Sequence, residues 1–287
     1  MAETMKPGTL YVVATPIGNL GDMSVRGGEL LRDVDRILAE DTRHTARLLD
    51  HLGLSTPMTS LHEHNEQKQI GRVLDWLAQG QSLALVSDAG TPLISDPGFE
   101  LVRAARERGF AVTTAPGACA VTAALSISGL PTDRFVFEGF LPPRQAHRQR
   151  ELERLKDQER TLVFYESPRR IVAALTDMAS VFGADRSGVV VRELTKTYET
   201  VYAGTLGELA ELAKAGDITE KGEFVVLVGG ADKAAAVEAA MVDAERLLTR
   251  LLQSLPVKEA VRITADMTGA ARNPLYERAL VLQGKGG

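Results

Sequence analysis

Short apolar runs alternate with stretches of helical period over residues 10–115, and few folds accept that pattern. LYVVAT (10–15), RILAE (36–40), MTSLH (58–62), LALVS (83–87) and AVTTA (111–115) are too short for stable helices and read as strands. The segments between them are helical; in NEQKQIGRVLDWLAQG, Ile70, Val73, Leu74 and Leu77 share one face. Strands joined through helices pair in parallel, because the crossover carries the chain back before the next strand begins. The pattern predicts a mainly parallel sheet with helices on both sides.

A second set of strands follows PGACAVTAALSISGL, a helix of small residues. FVFEGF (135–140), TLVFYE (161–166), VVVREL (189–194), TYETVYAG (197–204) and EFVVLVGG (223–230) read as strands, with helices near 143–157, 167–182 and 205–215. VVVREL and TYETVYAG lie too close for a crossover, so this half is expected to contain an antiparallel pair and a mixed sheet.

Gly229-Gly230-Ala231-Asp232 reads as a hinge, after which AAAVEAAMVDAERLLTRLL, PVKEAVRITADMTG and NPLYERALVL are all helical. Pro256 suits a first helical position, Asn273 with Pro274 behind it suits a cap, and Gly269 a break. A helix-turn-helix-like module and plain packing explain these helices equally well. The expected fold is α/β: an N-terminal α/β domain at 1–115, a second α/β domain with a mixed sheet at 116–231, and a C-terminal helical domain at 232–287.

Composition narrows the function. The single cysteine, Cys119, excludes an internal disulfide and a multi-cysteine zinc site, and reads as a small buried apolar residue. The histidines at 44, 51, 62, 64 and 147 are scattered, so no metal is expected. No run approaches the ~20 apolar residues of a membrane span. MAETMKPGTLYVV lacks the basic and apolar segments of a signal peptide. A cytoplasmic protein with no membrane partner is expected. The net charge of −5 argues against a protein that coats nucleic acid.

LVSDAGTPLISDPG (85–98) is longer than a link between strand and helix requires, and loops at strand ends are where α/β proteins keep their sites. Asp88 stands directly at the strand end among small residues, where a carboxylate can accept from a hydroxyl or an ammonium group. Asp96, before Pro97 and the next helix, reads as a helix N-cap. ATPIGNLGD (14–22) supplies Gly18 and Gly21 in the first strand–helix turn, without a dinucleotide fingerprint or a phosphate loop. The helix start in PGACAVTAAL offers free amides with little side-chain bulk, and close helix–sheet packing accounts for its small residues equally well. Charge gathers at three more strand ends: Glu40, Asp41, Arg43 and His44; Glu166, Arg169 and Arg170; Glu193, Lys196 and Glu199.

LYVVATPIGNLGD, AEDTRHTARLL, LVSDAGTPLISDPG, APGACAVTAALSISGL, FYESPRRI and GEFVVLVGG occur in one order. Together they resemble the ribosomal RNA branch of the tetrapyrrole methylase superfamily over roughly residues 8–230. The resemblance implies two α/β domains with S-adenosylmethionine in the cleft between them. It implies 2′-O-methylation of a cytidine ribose in 16S ribosomal RNA of the small ribosomal subunit, by a homodimer. Carried over position by position, it assigns cofactor contacts to Pro16, Asp88, Ala89, Gly90, Leu93, Ala120, Val121, Tyr165 and Leu194.

Two departures bear on the substrate. Ala14-Thr15-Pro16-Ile17 stands where the tetrapyrrole enzymes carry a glycine-rich loop, and Ser87-Asp88-Ala89 where they carry Gly-Asp-Pro. Both count against a tetrapyrrole, which stays as an alternative beside a non-catalytic ribosome-binding protein. A ribose hydroxyl is a poor nucleophile, and a base that takes its proton adds ~100- to 10,000-fold. By loop position, Lys196, if neutral in the cleft, or Glu166 would serve, with Arg43 and Arg169 as phosphate clamps. The helix within 144–160, six Lys/Arg against four acids, would line an RNA entrance or simply present a solvated face, the commoner role for alternating charges.

Overall fold

A computed structural model describes residues 8–232 and 244–282. The chain divides into two compact units, Met1–Gly229 and Gly230–Gly287. The first unit holds two five-stranded sheets.

The first sheet contains β1 (Thr9–Val13), β2 (Arg36–Ala39), β3 (Met58–Ser60), β4 (Leu83–Val86) and β5 (Ala111–Ala115). Their spatial order is β3-β2-β4-β1-β5, and every pairing is parallel, as the alternation predicts. Helices α1 (Val25–Asp33), α2 (Thr42–Leu52), α3 (Glu66–Ala78) and α4 (Phe99–Glu107) make the crossovers. Tyr11, Val13, Ile37, Ala84 and Val86 pack with Leu31 and Leu48 of α1 and α2. Leu10, Leu38, Leu83 and Leu85 pack with Leu74, Leu77 and Leu101 of α3 and α4 on the opposite face. β4 is buried at every residue, which is why it reads LALV without alternation. Because β4 lies between β1 and β2, the loops leaving β1 and β4 emerge side by side at the carboxyl edge.

The second sheet contains β6 (Phe135–Phe140), β7 (Thr161–Glu166), β8 (Ser187–Arg192), β9 (Thr200–Thr205) and β10 (Phe224–Val228), ordered β6-β7-β10-β8-β9. β6 and β7 are parallel, and the other pairings are antiparallel, including the expected β8–β9 pair. Alternate residues divide its two faces. Phe164, Val190, Val226 and Val228 meet α6 (Gln145–Leu155), α7 (Ile171–Phe182) and α8 (Leu206–Ala215). Val163, Val189, Val191, Val225 and Leu227 meet α5 (Ala120–Ser128) together with Ile17 from the loop after β1. On that face α5 needs small residues to lie close, and its sequence AVTAALSIS supplies them.

Two local expectations change. TYETVYAG begins its strand only at Thr200, because residues 193–199 form a turn in which Glu193 and Thr195 take left-handed backbone angles (φ 52° and 65°). On α6, Arg148 is buried against Asp177 at 2.7 Å, and Gln145 and Gln149 donate to the same carboxylate. That arginine is structural, and Arg154 and Lys156 pair with Glu151 and Glu153.

In the second unit, residues 244–251 (α9), α10 (Val257–Thr268) and α11 (Arg272–Leu282) enclose Leu248, Val261, Ala265 and Leu275. The expected first helix of the tail begins at residues that lie outside the described ones. Gly269 ends α10 in the left-handed conformation (φ 72°), as expected of a break. Pro256 occupies the cap position itself, and Asn273 lies inside α11 rather than capping it. Among the described residues no helix is long and apolar enough to cross a membrane.

Candidate active site

The loops after β1 and β4 are bonded to each other before they meet anything else. Thr15 and Gly90 exchange backbone hydrogen bonds of 2.9 and 3.1 Å, and the buried Thr15 hydroxyl donates to the Ser87 carbonyl at 3.2 Å. Thr91 adds a bond to the Ala118 carbonyl at 3.0 Å, tying the β4 loop to the entry of α5. Gly90 has φ 84°, and a Cβ there would stand 3.2 Å from Ile17 Cγ2. The angle favours glycine, and the space for a side chain is tight besides.

Across from these loops stand the ends of β7, β8 and β10, and the space between is a cavity of ≈ 330 Å³. Its apolar wall comes from Ile17, Ile94, Phe140, Val191, Leu194 and Val225. Its polar groups come from Thr91, Ser95, Asp96, Tyr165, Glu166 and Glu223. The Tyr165 ring is held edge-on by Phe137 and Phe140 at 4.9 and 5.5 Å. Burial raises the pKa of its phenol, with Cys119 and Asp96 adding to the effect against a bond from the Val121 amide.

Of the nine residues expected at the cofactor, Ala89, Gly90, Ala120, Tyr165 and Leu194 line this cavity. Pro16 does not, and its neighbour Ile17 takes the wall position. Val121 is buried in the core under α5, and Leu93 packs toward α4 with φ 74°. The Asp88 carboxylate points toward β2, where it accepts from the Asp41 amide at 3.0 Å. Beside it Glu40 accepts from the Asp88 amide at 3.3 Å, and burial and the Asp88 charge raise its pKa.

Among the catalytic candidates, Glu166 alone reaches the cavity wall. Its carboxylate accepts from Arg170 at 2.7 Å and from the Ser167 amide at 2.8 Å, and its second oxygen is buried without a partner. Lys196 lies between Glu193 and Glu223, 2.9 Å from each. Burial pulls its pKa down, but the two carboxylates outweigh it and raise the pKa overall. The condition for Lys196 to act as a base, a neutral amine, is therefore not met; it is a fixed cation. Arg43 grips Asp41 at 2.7 Å with an exposed guanidinium, and that grip holds Asp41 well below the usual carboxylate range.

The expectation for Asp96 also changes. The first residue before α4 is Gly98, and Glu66 from the start of α3 accepts from the Gly98 and Leu101 amides at 3.3 and 3.0 Å. A carboxylate 7% exposed, distant in sequence, caps the helix. Asp96 turns into the cavity, where burial pushes its pKa up to about 6, with Glu40 and Asp88 adding to it against a bond to Ser87. The signal for Ser95 and Asp96 was the loop's excess length; which carboxylate faced inward was not readable locally. Among the described residues no group of three or more His, Cys, Asp and Glu is placed to hold a metal ion.

Two sheets meeting at such a cleft define a methylase of the tetrapyrrole type, and residues 9–210 match the tetrapyrrole (corrin/porphyrin) methylases. The fold recurs in the methyltransferase CobJ (TM-score 0.57, 20% identity, 78% of this chain and 95% of that one). It recurs in a uroporphyrin-III C-methyltransferase from Thermus thermophilus complexed with S-adenyl homocysteine (0.52, 18%, 77% and 97%). Residues 238–283 match the RsmI C-terminal HTH domain. The chain is 49% identical over 281 residues to the ribosomal RNA small subunit methyltransferase I of Pseudomonas aeruginosa (98% of this chain, 100% of that one). The protein of the same name from Xylella fastidiosa is 52% identical over 271 residues (94% and 98%). The chain belongs, within the tetrapyrrole methylases, to the ribosomal RNA small subunit methyltransferase I family.

Proposed function

We propose that the protein is an S-adenosylmethionine-dependent methyltransferase acting on the 2′ oxygen of a cytidine ribose in 16S ribosomal RNA of the small ribosomal subunit. Full-length similarity to proteins named for small-subunit ribosomal RNA methylation carries the substrate class. A homodimer working in the cytoplasm belongs to the same proposal, as does the three-domain division at residues 115 and 231.

The residues present fit the cofactor. Ala89, Gly90 and Ala120 line the cavity with little side-chain bulk, the unpartnered Glu166 oxygen offers a buried acceptor, and Leu194 and Ile17 give an apolar wall. These residues, with Tyr165 and the flanking Pro16, Asp88, Leu93 and Val121, would hold it. When bound, it supplies a methyl group on a positively charged sulfur. The chain's part is alignment, which contributes ~7–11 kcal/mol in well-oriented systems. Lys196 is proposed as a fixed cation for the RNA backbone or the developing oxyanion, Glu166 as a ligand acceptor, and Arg43 as an exposed phosphate contact.

The test is transfer of labelled methyl to small ribosomal subunits, naked 16S RNA or a porphyrinogen. Label in a cytidine ribose of the subunit is expected. Label in the porphyrinogen instead would make the protein a tetrapyrrole enzyme, and cofactor binding without transfer would make it a non-catalytic binder.

A further inference from the structure

Asp96 is a cavity carboxylate to which neither folding nor the proposed cofactor contacts give a role. Its sequence position is that of a cap for α4, yet Glu66 holds the Gly98 and Leu101 amides. The turn that presents Asp96 is strained, with Leu93 and Ser95 in left-handed conformations (φ 74° and 66°) that non-glycine residues seldom take. Ser95 abuts the opposite sheet: a Cβ on Gly139 would stand 3.1 Å from its hydroxyl. Strain of this kind persists where surrounding contacts impose it, and it gathers at functional sites.

Resting on the reading of the protein as a ribose methyltransferase, we propose that Asp96 is the catalytic base that takes the proton of the substrate's ribose hydroxyl. The other candidates are committed elsewhere. Lys196 is held protonated by Glu193 and Glu223; Glu166 gives one oxygen to Arg170 and the Ser167 amide, and its remaining oxygen is the one assigned above to the methyl donor. Asp96 shares a hydrogen bond with Ser87 and feels the charges of Glu40, just past β2, and Asp88, just past β4, while Tyr165 at the end of β7 lines the same cavity. Glu166, pinned to Arg170, lines the same cavity. This acidic, half-buried setting pushes its pKa up to about 6, so the group is ionised at neutral pH and more basic than an ordinary carboxylate.

In the step proposed, the hydroxyl's O–H bond breaks as its oxygen forms a bond to the methyl carbon. The proton passes to an Asp96 oxygen, and the electron pair of the broken sulfur–methyl bond stays on sulfur. The carboxylic acid then returns its proton to water.

Three measurements test this: methyl transfer to small subunits in a single turnover at saturating donor, donor affinity by calorimetry, and carbon-13 NMR titration of the Asp carboxyls. In Asp96→Asn, transfer is expected to fall ~100-fold or more with donor affinity unchanged. The wild-type rate should decline as pH drops through about 6, and this limb should vanish in the residual activity of Asp96→Asn. The NMR titration should show a carboxyl with the same midpoint that the variant lacks. Asp96→Glu should recover part of the rate. An unchanged Asp96→Asn rate, a limb that persists in it, or a parallel loss of donor affinity would overturn the assignment. A wild type that binds donor but never labels subunit ribose would instead sink the parent reading, and the assignment with it.

Discussion

Gly18, in the loop after β1, packs its α-carbon against the stem of Lys196, in the loop after β8, so the two walls of the cleft touch where one residue has no side chain. A Cβ on Gly18 would also lie 2.9 Å from the Leu194 carbonyl oxygen, and backbone cannot swing aside as a lysine stem can. Gly18→Ala is expected to lower stability by about 1–3 kcal/mol through overpacking. Urea denaturation measures this. The same displacement of Leu194 should weaken donor binding, which calorimetry measures.

Lys196 acts as a charge in this geometry, since two carboxylates keep it protonated. Lys196→Arg should therefore retain most of the methyl transfer, whereas Lys196→Met should lose it. An arginine cannot give up its proton near neutral pH. Equal loss in both variants, measured as single-turnover rates, would restore Lys196 as the base.

Glu66 has a structural task alone, and its removal should be felt in stability. Glu66→Gln keeps the shape but replaces one accepting oxygen with a donor that faces an amide. A loss of about 1–3 kcal/mol is expected, the usual cost of breaking a buried charged hydrogen bond. The midpoint of urea unfolding should fall accordingly.

Asp96 makes stability depend on pH with a definite sign. Its pKa rises from 3.8 to about 6 on folding, so its contribution is full below about 3.8 and is lost as pH climbs through about 6. Asp96→Asn should gain on the wild type across that window and keep its advantage above it. Paired thermal melts at a series of pH values give the difference directly. A difference independent of pH would mean that the carboxyl titrates like an exposed one.

The second unit has a core of its own around Leu248, Val261 and Leu275. Deleting residues 233–287 is expected to leave donor affinity intact and to impair methylation of small subunits. A filter-binding comparison of RNA affinity between the full and shortened chains identifies the step that is lost.

The succession of strands and helices was legible because its signal is local. A run such as LALV or FVVLV must be continuous when both faces are buried, and NEQKQIGRVLDWLAQG must repeat at helical spacing when one face is. Gly53, Gly129 and Gly269 end their helices in left-handed turns that glycine tolerates best. The long loop at 85–98 likewise announced a site by its length.

Tertiary contacts decided which side chains serve that site. Glu66 took the cap that Asp96 occupies in sequence, Ile17 rather than Pro16 reached the cavity wall, and Glu223 joined Glu193 in holding the Lys196 charge. Each outcome depends on groups far apart along the chain brought within a few ångströms. Burial and Coulomb interactions act through space, while propensity and period act between neighbours, so the elements could be read from residues in order and the chemistry only from their final positions.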